Sequence, residues 1–156
     1  MEAEHLLVHI IRPTLKGLGL WSFDAERLIL GTACAESACG RWAKQIGGPG
    51  LGPYSNEPDT FNDTWENYLT YRPELAGKIK ELSLNGGMVA EEMIGNWYFA
   101  TAMCRVHYLR VKEKIPDSLP GQARYWKQYY NTIKGKGTIE HYQNAWSTHV
   151  GLMAWT

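Results

Sequence analysis

The sequence predicts an all-α or mainly α protein, one helical domain over residues 1–156 with a central buried helix and at most a short hairpin near residues 45–56. Two observations carry this. Apolar residues recur at helical spacing along most of the chain, and residues that start helices stand in front of those stripes. Strand-type alternation is weak throughout.

From Glu4 to about Lys16 the stripe Leu6, Leu7, Ile10, Ile11 and Leu15 predicts a helix interrupted or bent near Pro13, which lacks the N–H a helix interior needs. Ser22 is a good N-cap, with Asp24 and Glu26 in the first turn, and predicts a helix running to Gly40 with Ala25, Leu28, Ile29 and Ala33 inward. Gly47 to Pro53 is too rich in glycine and proline for a helix or a central strand. Pro58 suits a first helical turn, so residues 58–69 read as a helix presenting Phe61, Trp65, Tyr68 and Leu69. Pro73 to about Leu84 is a shorter helix, stopped by Asn85-Gly86-Gly87. Residues 91–114, with Trp97, Thr101, Cys104, Tyr108 and Val111 in register, read as the central buried helix. Pro120 starts a helix through Tyr130. Thr138 caps the last one, with Ile139, Tyr142, Trp146, Val150 and Met153 inward.

The 156 residues suffice for one domain that buries roughly two-thirds of its extended-chain surface without disulfides. Sixteen basic residues balance sixteen acidic ones. Without a net field, a polyanion held by counterion release is a poor partner, so nucleic acid is not expected. The apolar run at residues 6–11 is preceded by acidic residues and is too short for a secretory signal or a membrane span, which needs roughly 20 apolar residues. Cys34, Cys39 and Cys104 are odd in number and read as buried free thiols of a reducing compartment. No metal site and no cofactor are expected, because Cys34 and Cys39 lack a second pair or a histidine at ligand spacing. Seven Trp and nine Tyr against three Phe supply polar-edged rings of the kind that stack on sugars, although core packing explains such residues equally.

Glu36 is the residue the spacing singles out for chemistry. Leu28, Ile29 and Ala33 lie eight, seven and three positions before it, so its carboxylate projects from the stripe that packs inward. It sits in the last helical turn, where the carbonyl ends disfavour negative charge. Desolvation and the helix end both favour the protonated acid, while Arg41 and Lys44 oppose them. An ordinary Glu titrates near ~4.3, and raising it to about 6 makes it a proton donor near neutral pH. The competing reading is a boundary glutamate that curls into water or pairs with Arg41. Next to Glu36 the glycine- and proline-rich loop supplies a cleft wall, and Trp42, Tyr54, Trp97, Tyr98, Tyr129 and Tyr130 are candidate sugar platforms or core residues.

The segment Ala35-Glu36-Ser37 resembles the helix end that carries the catalytic acid in the soluble lytic transglycosylase and goose-type lysozyme superfamily, and phage-encoded members most of all. Gly52-Pro53-Tyr54-Ser55-Asn56-Glu57-Pro58-Asp59-Thr60 is similar to that family's Gly-Leu-Met-Gln loop and the helix start after it. Tyr129-Tyr130-Asn131-Thr132 resembles its Ala-Tyr-Asn-Ala motif, and residues 137–142 the glycine-led helix beyond. The motifs follow the family's order and span about residues 22–142. Pro53 and Ser55 replace the usual Leu and Gln, and Ser55 reaches less far toward a substrate.

The resemblance implies a lysozyme-like domain that cleaves the β-1,4 bond between N-acetylmuramic acid and N-acetylglucosamine of peptidoglycan. Glu36 would protonate the leaving oxygen and then act as base, either on the muramic 6-hydroxyl to give an anhydro product or on water. Ser37, Tyr54, Ser55, Tyr130 and Asn131 would contact substrate or position the acid. A two-carboxylate route needs Glu57, Asp59 or Asp63 near Glu36, whereas capping and dipole compensation explain Glu57 and Asp59 more simply. The expected partners are peptidoglycan glycan strands and other phage virion proteins, and the expected setting is synthesis in the host cytoplasm followed by action on the cell wall, with virion packaging one route. Two readings compete: an enzyme, or a non-catalytic lysozyme-like component of a phage tail or injection apparatus. A serine or cysteine hydrolase finds no nucleophile elbow in the sequence.

Overall fold

Helix α1 spans residues 3–18 in the computed structural model, which describes residues 1–132 and 135–151. Its centre is a π-helical stretch, Leu6–Ile11, between α-helical Ala3–His5 and Arg12–Leu18. The π turn explains how Pro13 is tolerated. Widening the helix lets the Arg12 N–H bond the Leu7 carbonyl just before the residue that has no N–H to offer. The expected interruption is thus a bulge in a continuous helix. Leu6, Ile11 and Leu15 along it are fully buried.

Helix α2, Phe23–Ser37, starts where the Ser22 hydroxyl accepts from the Ala25 N–H at 3.0 Å. Every residue from Ala25 to Cys34 is buried, so this helix runs through the core. Its first turn also anchors α1. Glu26, 1% exposed, accepts from Arg12 at 2.8 and 2.9 Å, from the Trp21 indole at 3.0 Å and from Arg27 at 3.1 Å. The helix ends at Ser37, three residues short of Gly40. Ala38, Cys39 and Gly40 all take positive φ, at 50°, 61° and 78°, a left-handed run that no α-helix can continue.

Residues 44–56 fold back as two isolated antiparallel bridges, Lys44 with Leu51 and Leu51 with Asn56, with no strand among the described residues. Helix α3 covers Pro58–Asn67 and gives way to a 3₁₀ turn at Leu69–Tyr71. Helix α4 is Pro73–Leu82.

The long helix expected over residues 91–114 is shorter. A 3₁₀ turn, Ala90–Ile94, precedes helix α5 at Trp97–Leu109. Asn96 makes the break: its side chain accepts from the Phe99 N–H at 3.1 Å and donates to the Leu82 carbonyl at 2.8 Å, capping α5 and tying it to the end of α4. Phe99 to Cys104, Val106 and Tyr108 are buried, so α5 shares the centre of the molecule with α2.

Helix α6, Leu119–Trp126, continues as a π stretch, Lys127–Asn131. Helix α7, Ile139–His149, is capped by Thr138, whose hydroxyl accepts from the His141 N–H at 3.0 Å. Tyr142, Trp146 and Val150 face inward. Met153, expected to do the same, lies outside the described residues. Cys34, Cys39 and Cys104 are free and buried. Among the described residues no helix is long and apolar enough to cross a membrane.

Candidate active site

Glu36 stands one residue before the end of α2 and lines a cavity of about 210 Å³ together with Ser37, Trp42, Lys44, Gln45, Ile46 and Ser55. Trp42, Lys44, Gln45 and Ile46 are exposed, so the cavity opens to the surface on their side. One carboxylate oxygen of Glu36, Oε2, is buried and has no hydrogen-bond partner among the described residues. Burial, reinforced by the Glu57 carboxylate, pushes the Glu36 carboxyl up to about 7. None of the ion pairs among the described residues includes it. Arg41, one of the two alternatives in the competing reading, places its guanidinium 5.1 Å from the centre of the Trp42 ring.

Ser55 brings the loop 50–56 to the cavity, and the shape of that loop follows from a few contacts. Gly52 has a φ of 75°, and a side chain there would overlap the Met93 carbonyl. Gly50 sits against Ser55, with no room for a Cβ, and its N–H donates to the Gln45 side chain at 2.9 Å. Ser37 clamps the loop to the helix. Its hydroxyl hydrogen-bonds the Pro53 carbonyl at 2.6 Å and the Ala33 carbonyl at 3.1 Å, and accepts from the Gly40 N–H at 2.9 Å.

The six residues singled out from sequence take different places. Glu36, Ser37 and Ser55 come together at the cavity, with Ser55 approaching the Glu36 carbonyl at 3.4 Å from a left-handed backbone. Ser37 is 3% exposed and its hydroxyl is engaged with backbone, so it builds the wall rather than facing a ligand. Tyr54 is 1% exposed and its hydroxyl shares a 2.7 Å hydrogen bond with Thr101 of α5. It packs into the core, where Thr101 supplies a partner for its polar end. Tyr130 donates to the Tyr54 carbonyl at 2.6 Å and stacks on Tyr108 with ring centres 5.2 Å apart. Burial first, then the Cys104 thiol, holds the hydroxyls of Tyr130 and Tyr108 well above their usual range, with a smaller contribution from Glu36. Asn131 is turned to its own chain, its Oδ1 accepting from Lys127 at 2.7 Å.

Of the proposed aromatic platforms only Trp42 lines the cavity. Trp97 instead covers Gly40, whose missing side chain makes room for the indole. Glu57 occupies the N-cap position of α3, but its side chain makes no capping bond, and its charge acts on Glu36. Asp63 pairs with Arg110 at 2.8 Å.

Gln45 and Ile46 line the cavity without any signal in their spacing. The one available clue was the turn chemistry of Gly47-Gly48-Pro49-Gly50, which folds residues 44–46 back beside Glu36. His141 also reaches the site's edge, its Nε2 sharing a 2.8 Å hydrogen bond with the Ala35 carbonyl. Among the described residues no group of three His, Cys, Asp or Glu is placed to hold a metal ion.

A carboxyl titrating near neutrality at the wall of a surface cavity is able both to give and to take back a proton. The chain matches no protein-family model, and comparison with curated proteins and with solved structures gives no significant match.

Proposed function

We propose that the chain is a peptidoglycan-degrading glycosidase, a lytic transglycosylase or muramidase, in which Glu36 is the general acid and base. The observation that carries this reading is the carboxyl itself: buried on one oxygen, without a partner there among the described residues, raised to about 7, and lining a cavity that opens to solvent. A structural carboxylate would have found a cation or a set of N–H donors, as Glu26 does. The sequence likeness of residues 35–37, 52–60 and 129–132 supports the choice of substrate.

In this reading the protonated Glu36 gives its proton to the glycosidic oxygen as the bond to the muramic C1 breaks. The carboxylate then takes a proton either from the muramic 6-hydroxyl, closing an anhydro ring, or from water. Trp42, 40% exposed and lining the cavity with the Arg41 guanidinium over its ring, is the aromatic side chain available there to pack on a sugar.

Purified wild-type protein and Glu36→Gln are compared on isolated sacculi by turbidity and by muropeptide analysis. The amide keeps the shape but is neither an acid nor a base near neutral pH, and the release of fragments should fall by about 10²–10⁴-fold. Mass spectrometry of the products separates anhydro ends from reducing ends and so chooses between the two routes. Equal release by both proteins removes the enzyme reading and leaves a non-catalytic domain, such as a structural component of a phage particle.

A further inference from the structure

Cys34 and Cys39 stand five positions apart, and the end of α2 folds them together. The left-handed turn at Ala38, Cys39 and Gly40 doubles the chain back on the helix, so that the Cys39 N–H reaches the Ala33 carbonyl at 3.1 Å. Cys39 is thereby brought back beside the turn that carries Cys34. Both side chains are buried, at 2% and 0% exposure, and their thiols hydrogen-bond one another. The third cysteine is engaged elsewhere: Cys104 of α5 is hydrogen-bonded to Tyr130.

The bond between the two thiols has a direction. Cys34 donates and Cys39 accepts, which holds the Cys39 thiol below its usual range and the Cys34 thiol well above it. A disulfide forms without moving the backbone only where the two sulfurs already face each other, and the mutual hydrogen bond meets that condition. Burial restricts access to a water-sized oxidant. Such a molecule can enter when the turn opens, because Ala38 and Cys39 are not glycine and are kept left-handed only by their surroundings.

We infer that Cys34 and Cys39 form a redox-modification site, at which hydrogen peroxide closes the pair into a disulfide that fastens the end of α2 around Glu36. Cys39, as thiolate, attacks one peroxide oxygen. The S–O bond forms as the O–O bond breaks, and the departing hydroxide takes up a proton as water. Cys34 then gives up its proton and attacks the Cys39 sulfur, forming S–S as S–O breaks and releasing a second water. The thiols lose two electrons and two protons between them, and the peroxide is reduced to water. A reducing setting keeps the pair open. Glu36 and Ser37 lie inside the bridged segment, so the disulfide limits how far the acid can move.

The native full chain is exposed to a modest excess of hydrogen peroxide, denatured in N-ethylmaleimide and mapped by mass spectrometry. Untreated protein should take up the reagent at all three cysteines. Treated protein should take it up at Cys104 alone, with the tryptic peptide 28–41 lighter by two hydrogens, and dithiothreitol should restore the other two sites. In Cys34→Ser, Cys39 has no thiol to resolve it and should gain oxygen instead. Amide hydrogen exchange at Gly40 and Arg41 should slow about tenfold when wild type is oxidised. Reagent uptake at all three cysteines after peroxide, oxidation of Cys104 ahead of the pair, a disulfide between two chains, or a bridge that forms only in urea overturns the inference. Exchange that is unchanged at Gly40 and Arg41 overturns the fastening of α2. Cleavage of sacculi enters none of these measurements, so the inference stands or falls apart from the glycosidase reading.

Discussion

At the scale of single residues, Glu36 ties pH to both stability and activity. Its folded-state value, about 7, lies above that of an ordinary carboxyl. In acid, below the ordinary carboxylate range, the side chain is protonated in the folded and unfolded chains alike, and the burial penalty is absent. As pH rises, the unfolded chain releases this proton first. Stability therefore falls through the interval between the two values and levels off above about 7, a loss of up to about 3 kcal/mol. Glu36→Gln has no such loss. Its stability relative to wild type should grow between pH 4 and pH 8 in urea titrations, and a difference that stays flat across that range contradicts a buried acid. The rate of glycan cleavage should show a falling basic limb centred near pH 7, where the proton donor disappears.

The elements that shape the site are the end of α2 and the loop it grips. Three consecutive left-handed residues, two of them not glycine, form a strained exit, and such a run persists only because its surroundings hold it. Ser37 is the holding group. Ser37→Ala removes hydrogen bonds to Pro53, Ala33 and Gly40, and the Ala33 carbonyl alone of the three keeps a second donor, the Cys39 N–H at 3.1 Å. It should lower stability by about 1–3 kcal/mol in denaturant titrations, and hydrogen exchange should speed up at the Gly40 amide. A variant as stable as wild type, with Gly40 still protected, rules out the clamp. From sequence, Ser37 was a substrate contact by resemblance. Its neighbours at Pro53 and Gly40 explain the difference, since a short hydroxyl at a helix end bonds backbone first.

At the scale of the whole molecule, the contact between α2 and α7 sets where the acid stands. Gly31 lies in the middle of α2, a place where glycine is intrinsically unfavourable, and the Tyr142 hydroxyl of α7 occupies the space that a side chain would fill. Tyr142 reaches toward the Leu28 carbonyl across this gap at 3.4 Å, and farther along the same pair of helices His141 meets Ala35, next to Glu36. Gly31→Ala gains helix propensity, roughly 1 kcal/mol, but drives its methyl group into a ring that has nowhere to go. Net destabilisation of about 1–3 kcal/mol is expected in thermal or urea unfolding, with reduced activity as α7 moves away from α2. A stabilised variant would show that the two helices separate freely.

Helix placement was legible from sequence because its causes are local. Ser22, Thr138 and the first-turn prolines do their work within one turn of where they stand. The same holds for Glu36, whose inward direction follows from three helical intervals. The cap at Asn96 is local, through Phe99, but it stands inside an unbroken apolar stripe, and its tie to Leu82 exists only in the folded chain. Tertiary structure alone decided which polar groups remain free. Ser37, Tyr54 and Gln45 are chemically able to meet a ligand, yet distant or folded-back segments use them up, while one carboxylate oxygen of Glu36 finds no partner among the described residues. A buried polar group takes the nearest partner it can reach, and that distance is a property of the folded chain, not of spacing along it.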